Sequence, residues 1–148
     1  MLLHFNRWSM ISKTGIHAIK AMVTLAELPE GAYAGAGAIA DSIGAPRNYL
    51  GKLLQMFSRE GYVISQKGMG GGFRLAKDPK KISLLDIINP IDHIDRWNGC
   101  FLGRHQCSDE NPCALHAKWD KVRNQYMKFV TNTSIADLIQ DHNVINTL

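Results

Sequence analysis

The chain has 148 residues, 45% of them hydrophobic, and a formal net charge of +4 at pH 7. This length suits one compact domain with an appended arm, since single cores form over roughly 100 to 200 residues, and it leaves no room for a second, enzyme-sized domain. No uncharged stretch approaches the ~20 apolar residues of a membrane span, and the N-terminus has no signal-peptide pattern, so we expect a cytoplasmic protein that is not an enzyme.

The chain begins with a segment of no clear period. Residues 1–9 precede a second methionine, Met10, and are interpreted as an N-terminal arm or an alternative start. Ser12 or Thr14 is a candidate N-cap for a first helix, because the apolar residues that follow recur at steps of three and four. This helix should end near Leu28, since a proline and a glycine follow.

Two further helices are predicted, with a glycine between them. Residues 39–43 form a short apolar run, and Gly44 can adopt the left-handed conformation of a tight turn. Pro46 suits the beginning of the next helix, in which apolar residues recur at helical spacing up to Phe57. A short helix, a glycine turn and a second helix form the order of a helix-turn-helix.

A β-hairpin is predicted directly after the third helix. Residues 62–65 and 73–75 are rich in β-forming side chains and flank a glycine-rich segment, residues 66–72. A helix-turn-helix followed by such a hairpin is a winged helix. We therefore predict that residues 10–81 form a winged helix-turn-helix DNA-binding domain in a mainly α protein with a small β-hairpin.

Positive charge concentrates in this domain. Residues 47–81 hold eight basic and two acidic side chains, whereas the rest of the chain holds nine basic and eleven acidic ones. Such a segment is typical of a surface that faces phosphates, although a merely solvated basic face would give the same count. The candidate DNA contacts lie at the start of the third helix, which would enter the major groove, and on the hairpin. They are Arg47, Asn48, Tyr49 (which also suits the core), Lys52, Lys67, Gly70, Gly71 and Arg74.

The segment after the hairpin, residues 82–111, is predicted to hold a connecting helix and a cysteine loop. Ser83 is a candidate N-cap of this helix, and we expect Pro90 to break it. A helical dimerisation segment with a further short helix is predicted over residues 112–140, followed by a tail at 141–148.

The long C-terminal helix is predicted to begin at Pro112, with Asn111 as its N-cap. Its apolar residues step by four and three over about two heptads. This pattern suits packing on the helix of a second copy, and an intramolecular core stripe would have the same spacing. The residues are Leu115, Trp119, Val122, Tyr126 and Phe129.

Three cysteines and a histidine form a candidate metal site. They are spaced Cys100-x6-Cys107-x5-Cys113-x2-His116, an odd thiol count that argues against a disulfide framework. If the long helix begins at Pro112, Cys113 and His116 project on the same face, where a helix N-terminus favours the thiolate. Three thiolates and an imidazole can hold an iron–sulfur cluster or zinc, and free redox-active thiols are the third possibility.

The order of these motifs resembles the Rrf-two-type family of winged helix-turn-helix transcriptional regulators, which includes IscR-like and NsrR-like iron–sulfur cluster regulators. The resemblance covers about residues 10–138 and is carried by the wing sequence Lys-Gly-x-Gly-Gly-Gly-Phe-Arg-Leu at 67–75 together with the cysteine trio. It implies a homodimer joined through the long C-terminal helix, a palindromic double-stranded DNA operator, and a cluster held by the three cysteines.

The fourth ligand distinguishes branches of this family. In the IscR branch a histidine three residues after the last cysteine takes that place, and His116 matches it, so a two-iron, two-sulfur cluster is the first expectation. The nitric-oxide branch uses a carboxylate from the first helix, at a position occupied here by Ile16, which cannot ligate. Gly51 stands where IscR-like members carry a glutamate that tunes base recognition, so the operator preference does not transfer.

The function expected from the sequence is a dimeric DNA-binding regulator whose operator binding is controlled by a cysteine-ligated iron–sulfur cluster. A zinc-bound or thiol-redox-sensing regulator of the same fold is the first alternative. A cluster-free protein-binding adaptor with the same fold is the second. A thiol oxidoreductase is disfavoured, because the chain has no Cys-x2-Cys pair and no substrate-sized domain.

Overall fold

The computed structural model describes residues 9–139. The predicted arm therefore lies outside the described residues except for its last residue, and the tail at 141–148 lies outside them entirely. Six α-helices and one antiparallel hairpin follow in chain order. They are α1 (Lys13–Ala26), α2 (Ala36–Ile43), α3 (Arg47–Arg59), β1 (Val63–Gln66), β2 (Gly72–Leu75), α4 (Leu84–Asp92), α5 (His116–Asn132) and α6 (Ile135–Ile139). Short 3-10 turns cover Pro79–Lys81 and Ile94–Asn98. This is the predicted fold class, and none of the described helices has the length and hydropathy to cross a membrane.

Helix α1 lies at the centre of the molecule. Ser12 is its N-cap, because the Ser12 hydroxyl accepts a hydrogen bond of 3.0 Å from the Gly15 N–H. Most of the apolar stripe predicted from its spacing is buried, with its ends at Ile16 and Ala26 half-buried, and Ala18 and Met22 have no exposed surface. The helix packs against α2, β2, α4 and α6. It is therefore shared by the winged helix and by the C-terminal part of the chain.

The helix-turn-helix forms as predicted. Helix α2 ends at Gly44, which has the left-handed φ of 71°, and α3 begins directly after Pro46. Helix α3 buries one face, on which Leu50, Leu54 and Phe57 are fully enclosed. Its opposite face remains exposed and available for contact with a partner molecule.

The hairpin pairs β1 with β2, with Val63 opposite Leu75 and Gln66 opposite Gly72. The segment between α1 and α2 extends this small sheet, since Ala34 and Phe73 exchange two backbone hydrogen bonds of 2.8 and 2.9 Å. We call residues 63–75 the wing. These bonds fix the wing against the helix-turn-helix.

Helix α4 differs from the prediction at Pro90. The Ser83 cap is confirmed, and a reciprocal pair of hydrogen bonds with Asp86 completes a capping box. Pro90 does not break the helix, which continues to Asp92 and ends where His93 takes a left-handed φ of 49°. A proline at this position removes only one backbone donor, and the burial of the α4 apolar face against α1 stabilises the final turn.

The long helix begins later than predicted. Helix α5 starts at His116 with Leu115 at its N-cap position, so the predicted start at Pro112 is wrong. The reason is local, because the backbone groups of Asn111 close a turn with Ser108 through hydrogen bonds of 3.2 and 3.4 Å. The Asn111 carbonyl, which at an N-cap would accept the first intrahelical hydrogen bond, accepts from the Ser108 N–H instead.

The apolar face of α5 divides into two stripes, one of which packs within the chain. Trp119 and Tyr126 are half-buried against Trp97, whose ring stacks on Tyr126 at a centroid distance of 4.8 Å. The other stripe has a spacing of seven residues and faces outward. Leu115, Val122 and Phe129 are 38%, 59% and 57% exposed, respectively.

Two glycine substitutions test the helix-turn-helix. Gly44→Ala should lower the free energy of unfolding by about 1 kcal/mol, because an L-residue is strained at a φ of 71°. Gly51→Ala should raise it by about 0.5–1 kcal/mol, because Gly51 is helical and an added Cβ meets only the Ala36 Cβ at 3.8 Å. Urea unfolding measures the free energy of unfolding of each variant. If both substitutions changed it by the same amount and in the same direction, the left-handed turn at Gly44 would be contradicted.

Candidate nucleic-acid interface and metal centre

The exposed face of α3 carries a row of polar and basic side chains. Asn48 and Lys52, two of the candidate DNA contacts, are exposed on it, and Gln55 and Arg59 continue the same row at steps of three and four. Gln55 and Arg59 were not among the predicted DNA contacts, although their spacing from Lys52 could have identified them. Gly51 lies within this row and leaves a depression in its surface.

Arg47 is also exposed, but its guanidinium group has an acidic partner. Its Nε donates a hydrogen bond of 2.9 Å to Asp41 at the end of α2, and its Nη2 bonds the second carboxylate oxygen. This hydrogen bonding lowers the pKa of Asp41. Since both side chains are more than half exposed, the pair is weak and solvent competes with it. Arg47 can therefore exchange Asp41 for a phosphate.

Tyr49 lies beside the exposed row rather than on it. Its ring meets the buried His17 of α1 edge-on, at a centroid distance of 5.9 Å. The Tyr49 hydroxyl is buried, and no hydrogen-bond partner for it exists among residues 9–139. Tyr49 thus joins α3 to α1, in keeping with the prediction that it also suits the core.

The tip of the wing is exposed at Lys67 and Gly70. Gly71 has a structural reason to be glycine, because a Cβ there would lie 2.3 Å from the carbonyl oxygen of Gln66. The turn itself therefore demands this glycine, whatever the wing contacts.

Arg74 is less available than the sequence suggested. Its guanidinium carbon lies 4.9 Å from the centre of the Tyr33 ring, and its Nε is buried with no partner in the described part of the chain. Arg74 is half-buried at the junction of the wing with the segment before α2.

The four predicted metal ligands converge, even though Cys113 precedes α5 instead of lying on its first turn. The three cysteine sulfurs lie within 4.8 Å of one another, and Cys100 and Cys113 are separated by 3.9 Å. The Nδ1 atom of His116 lies 3.3 Å from the Cys107 sulfur. Together with Trp119 they line a small cavity of about 50 Å³. We call Cys100, Cys107, Cys113 and His116 the metal centre.

Two side chains of α5 hold the beginning of the cysteine loop. Trp119 donates from its ring N–H to the Gly99 carbonyl at 2.9 Å, and Arg123 donates to the Asn98 carbonyl at 3.0 Å. These bonds fix the backbone directly before Cys100. Sequence patterns did not predict these bonds, because they join residues at least 20 positions apart.

A carboxylate outside the predicted set orients His116. The Nε2 atom of His116 lies 2.9 Å from an Asp109 carboxylate oxygen. When Nε2 carries the proton and donates to Asp109, Nδ1 presents its lone pair to the sulfurs. The arrangement is the carboxylate–histidine pair common at metal sites, in which the carboxylate fixes the tautomer.

The electrostatics of the three thiols favour a bound cation. Hydrogen bonding, first from the Arg104 backbone N–H, lowers the pKa of Cys100 to about 7. The Cys113 backbone N–H acts to lower the pKa of Cys107, but desolvation and the neighbouring sulfurs of Cys113 and Cys100 outweigh it and raise that pKa. Three thiolates within 4.8 Å repel one another, so full deprotonation requires a positive centre between them.

The donor set fits more than one metal species. Tetrahedral zinc with bonds of about 2.3 Å places two thiolates about 3.8 Å apart, close to the Cys100–Cys113 separation of 3.9 Å. Thiolates with one imidazole are equally suited to iron in an iron–sulfur cluster. These residues can hold either species, with Asp109 as an outer support.

Solved structures share this fold. CymR, the global cysteine regulator of B. subtilis, has a TM-score of 0.71 at 24% identity, with 90% of this chain and 98% of that chain covered. IscR of T. potens has a TM-score of 0.69 at 24% identity, with 90% and 88% covered. The oxidized form of Staphylococcus aureus CymR has a TM-score of 0.68 at 22% identity, with 88% and 96% covered.

Sequence comparison gives the family. A protein of Aquifex aeolicus (strain VF5) named as an HTH-type transcriptional regulator is 42% identical over 96 residues, which are 64% of this chain and 67% of that protein. The Rrf2 family model, described as iron-dependent transcriptional regulator, matches residues 11–141. These relatives are transcriptional regulators and not enzymes. The chain belongs to the Rrf2 family of winged-helix transcriptional regulators.

Proposed function

We propose that this regulator acts in the cytoplasm and binds DNA under the control of an iron–sulfur cluster held by Cys100, Cys107, Cys113 and His116. The observation that carries the proposal is the convergence of three thiols and one imidazole at the beginning of α5. The description of the family model as iron-dependent supports iron over other metals. A two-iron, two-sulfur cluster suits four protein ligands.

Two further candidates have an observation in their favour. The separation of 3.9 Å between the Cys100 and Cys113 sulfurs suits a single zinc ion. The same separation, with a Cys100 pKa of about 7, suits a thiol sensor that forms a disulfide under oxidation. Metal and sulfide analysis separates all three.

When bound, the cluster supplies a redox-active centre that responds to oxidants, nitric oxide or iron supply. The protein residues hold it in place. Asp109 orients the His116 ring, and Trp119 and Arg123 fix the backbone that leads into Cys100. The loop between Gly99 and Leu115 contains no helix or strand, so bonds from its cysteines to a bound cluster would determine its shape.

We further propose that two copies pair through the exposed stripe of α5. Leu115, Val122 and Phe129 repeat every seven residues, which is the period of a helix that packs along another helix. Leu115 ends the cysteine loop, so the shape of that loop affects the pairing surface. A two-fold dimer places two α3 helices on one side for a palindromic operator, with half-sites about 34 Å apart.

Within each half-site, the exposed row of α3 would enter the major groove. Asn48 and Lys52 are proposed to contact base edges, and Arg47 is proposed to contact a base edge or a phosphate. Gln55 and Arg59 lie beside them in the same exposed row. Lys67 and Gly70 at the tip of the wing are proposed to approach the neighbouring backbone. Tyr49, Gly71 and Arg74 contribute by positioning these elements as well as by contact.

The cluster proposal predicts the effect of a matched pair of histidine variants. After anaerobic reconstitution, the wild-type chain should hold about two irons and two sulfides, and His116→Ala should lose most of both. His105→Ala is the control, because His105 is exposed in the same loop and is not one of the converging residues. Iron and sulfide analysis with a visible absorption spectrum measures the outcome. Wild-type protein without iron or sulfide would refute the cluster.

The DNA-binding surface predicts a contrast between two lysines. Lys52→Ala should weaken binding about tenfold to a duplex that the wild-type chain selects from a random library, because one contact in the groove is lost. Lys128→Ala on α5 should leave the affinity unchanged at the same salt concentration. Fluorescence anisotropy over a range of salt concentrations gives both values. An equal loss for the two variants would indicate only non-specific attraction by charge.

The pairing surface predicts a change in oligomeric state. Val122→Lys should convert a dimer to a monomer, since it places a charge in the middle of the apolar stripe. Asn124→Lys adds the same charge to another exposed position of α5 and should leave the dimer intact. Sedimentation velocity distinguishes the two states, and a wild-type chain that sediments as a monomer would contradict the proposal.

A further inference from the structure

Asp92 is the last residue of α4, but its side chain contacts a different helix. Its two carboxylate oxygens lie 3.2 and 3.3 Å from the backbone nitrogen of Ser12 and accept a hydrogen bond from that N–H. The two residues are 80 positions apart in the chain. This bond therefore joins the end of α4 directly to the beginning of α1.

The position of this carboxylate is explained by α1 and not by its own helix. A negative charge is unfavourable at the C-terminal end of a helix and favourable at an N-terminal end, where backbone N–H groups are free. Helix α4 has no basic residue in its last turn, and α1 has no acidic residue in its first turn. Asp92 thus supplies the negative charge that the first turn of α1 lacks.

Gly15 leaves the space that this carboxylate occupies. A Cβ at residue 15 would lie only 2.6 Å from the Oδ2 atom of Asp92. Gly15 lies inside α1 and does not have a positive φ, so the backbone does not demand a glycine there. Glycine is a poor helix former, and the close approach of Asp92 accounts for its presence.

The end of α4 also adjoins the aromatic rings beside the metal centre. Burial raises the pKa of Tyr126 on α5, and the nearby negative charge of Asp92 raises it further. The Tyr126 ring stacks on Trp97 at a centroid distance of 4.8 Å, and Trp97 lies 6.2 Å from Trp119. Trp119 in turn bonds the backbone directly before Cys100. Neighbouring groups thus connect the metal centre to the beginning of α1.

Helix α1 contacts the DNA-binding helix five residues after Ser12. There the buried ring of His17 meets Tyr49 of α3 edge-on, at a centroid distance of 5.9 Å. Tyr49 directly follows Asn48 of the exposed α3 row. A shift of the first turns of α1 therefore acts on the beginning of α3.

We propose that Asp92 is a positioning residue that couples the metal centre to α3, by holding the beginning of α1 to the end of α4. While the bond to Ser12 is intact, α1 follows a movement of α4 and of the aromatic rings beside it. Without the bond, the two helix ends move independently. The proposal rests on the proposed control of DNA binding by a cluster, and it names the contact through which that control reaches α3.

The test measures the factor by which the cluster changes the affinity for the library-selected duplex under anaerobic conditions. This factor should fall from at least about tenfold in the wild type to within about twofold of one in Asp92→Ala. Asp92→Ala should still take up iron and sulfide as the wild type does, because Asp92 is not one of the converging residues. Gly15→Ala should lower the factor too, since its Cβ displaces the carboxylate, and it decides the question if Asp92→Ala does not fold.

Ser12→Ala is the matched control for stability. It removes the hydroxyl that caps the same end of α1 and keeps the backbone N–H that bonds Asp92. Ser12→Ala should therefore lower the melting temperature and retain the wild-type coupling factor. If Ser12→Ala and Asp92→Ala lower the coupling factor equally, Asp92 only stabilises α1 and the proposal is wrong.

A melting experiment tests the contact itself without cluster or DNA. Gly15→Ala should raise the melting temperature at least about 3 °C more in the Asp92→Ala chain than in the wild type. Alanine is the better helix former, and its benefit is offset only where the carboxylate must be displaced. Equal shifts in the two backgrounds would overturn the contact and the proposal with it.

The outcomes separate this inference from the proposed function. If removal of the cluster leaves the affinity of the wild type unchanged, the proposed control of DNA binding fails, and the coupling through Asp92 fails with it. If the wild type and Asp92→Ala both respond about tenfold, the control of DNA binding stands and only the role of Asp92 is refuted.

Discussion

Close packing around α1 is the constraint on which the rest of the molecule depends. This helix contacts α2 and β2 of the winged helix and also α4 and α6 of the C-terminal part, while α4 in turn contacts α5. Ala18 and Met22 in its interior stripe have no exposed surface, so neighbouring helices cannot shift independently of one another. A change in the position of α5 therefore has a physical route through α4 and α1 to the exposed face of α3.

The metal centre lies at the point where such a change would begin. Three thiols brought within 4.8 Å are stable as thiolates only around a cation, so a bound cation would stabilise this arrangement of the loop that carries them. That loop is anchored by Trp119 and Arg123 at its beginning and runs into Leu115 at its end. Both ends are thus attached to α5, and the outward stripe of α5 would adjoin a second copy. Through α5, chemistry at the sulfurs would affect the pairing of two chains. That pairing would in turn set the spacing of the two α3 helices.

Local rules explain which features the sequence predicted. The turn at Gly44, the cap at Ser83 and the β-forming runs of the wing depend on residues close together in the chain, so local sequence patterns and capping preferences identified them. Residue spacing and the family resemblance predicted the four side chains that converge before α5. The features that the sequence did not predict depend on contacts between distant parts of the chain, or on an interaction that replaces the one a local preference favours. Asn111 suits an N-cap but bonds to Ser108 instead, and the partners of Arg47, Arg74, His116 and Tyr49 come from other elements of the fold.

We propose that the state of the metal centre controls DNA binding. The most direct measurement compares the affinity of one preparation for the library-selected duplex, under anaerobic conditions, before and after removal of the cluster. The account predicts that the affinity changes at least about tenfold, a coupling of roughly 1.4 kcal/mol between the two sites, and that Cys107→Ser fixes the affinity at the cluster-free value. Equal affinities with and without the cluster would contradict it.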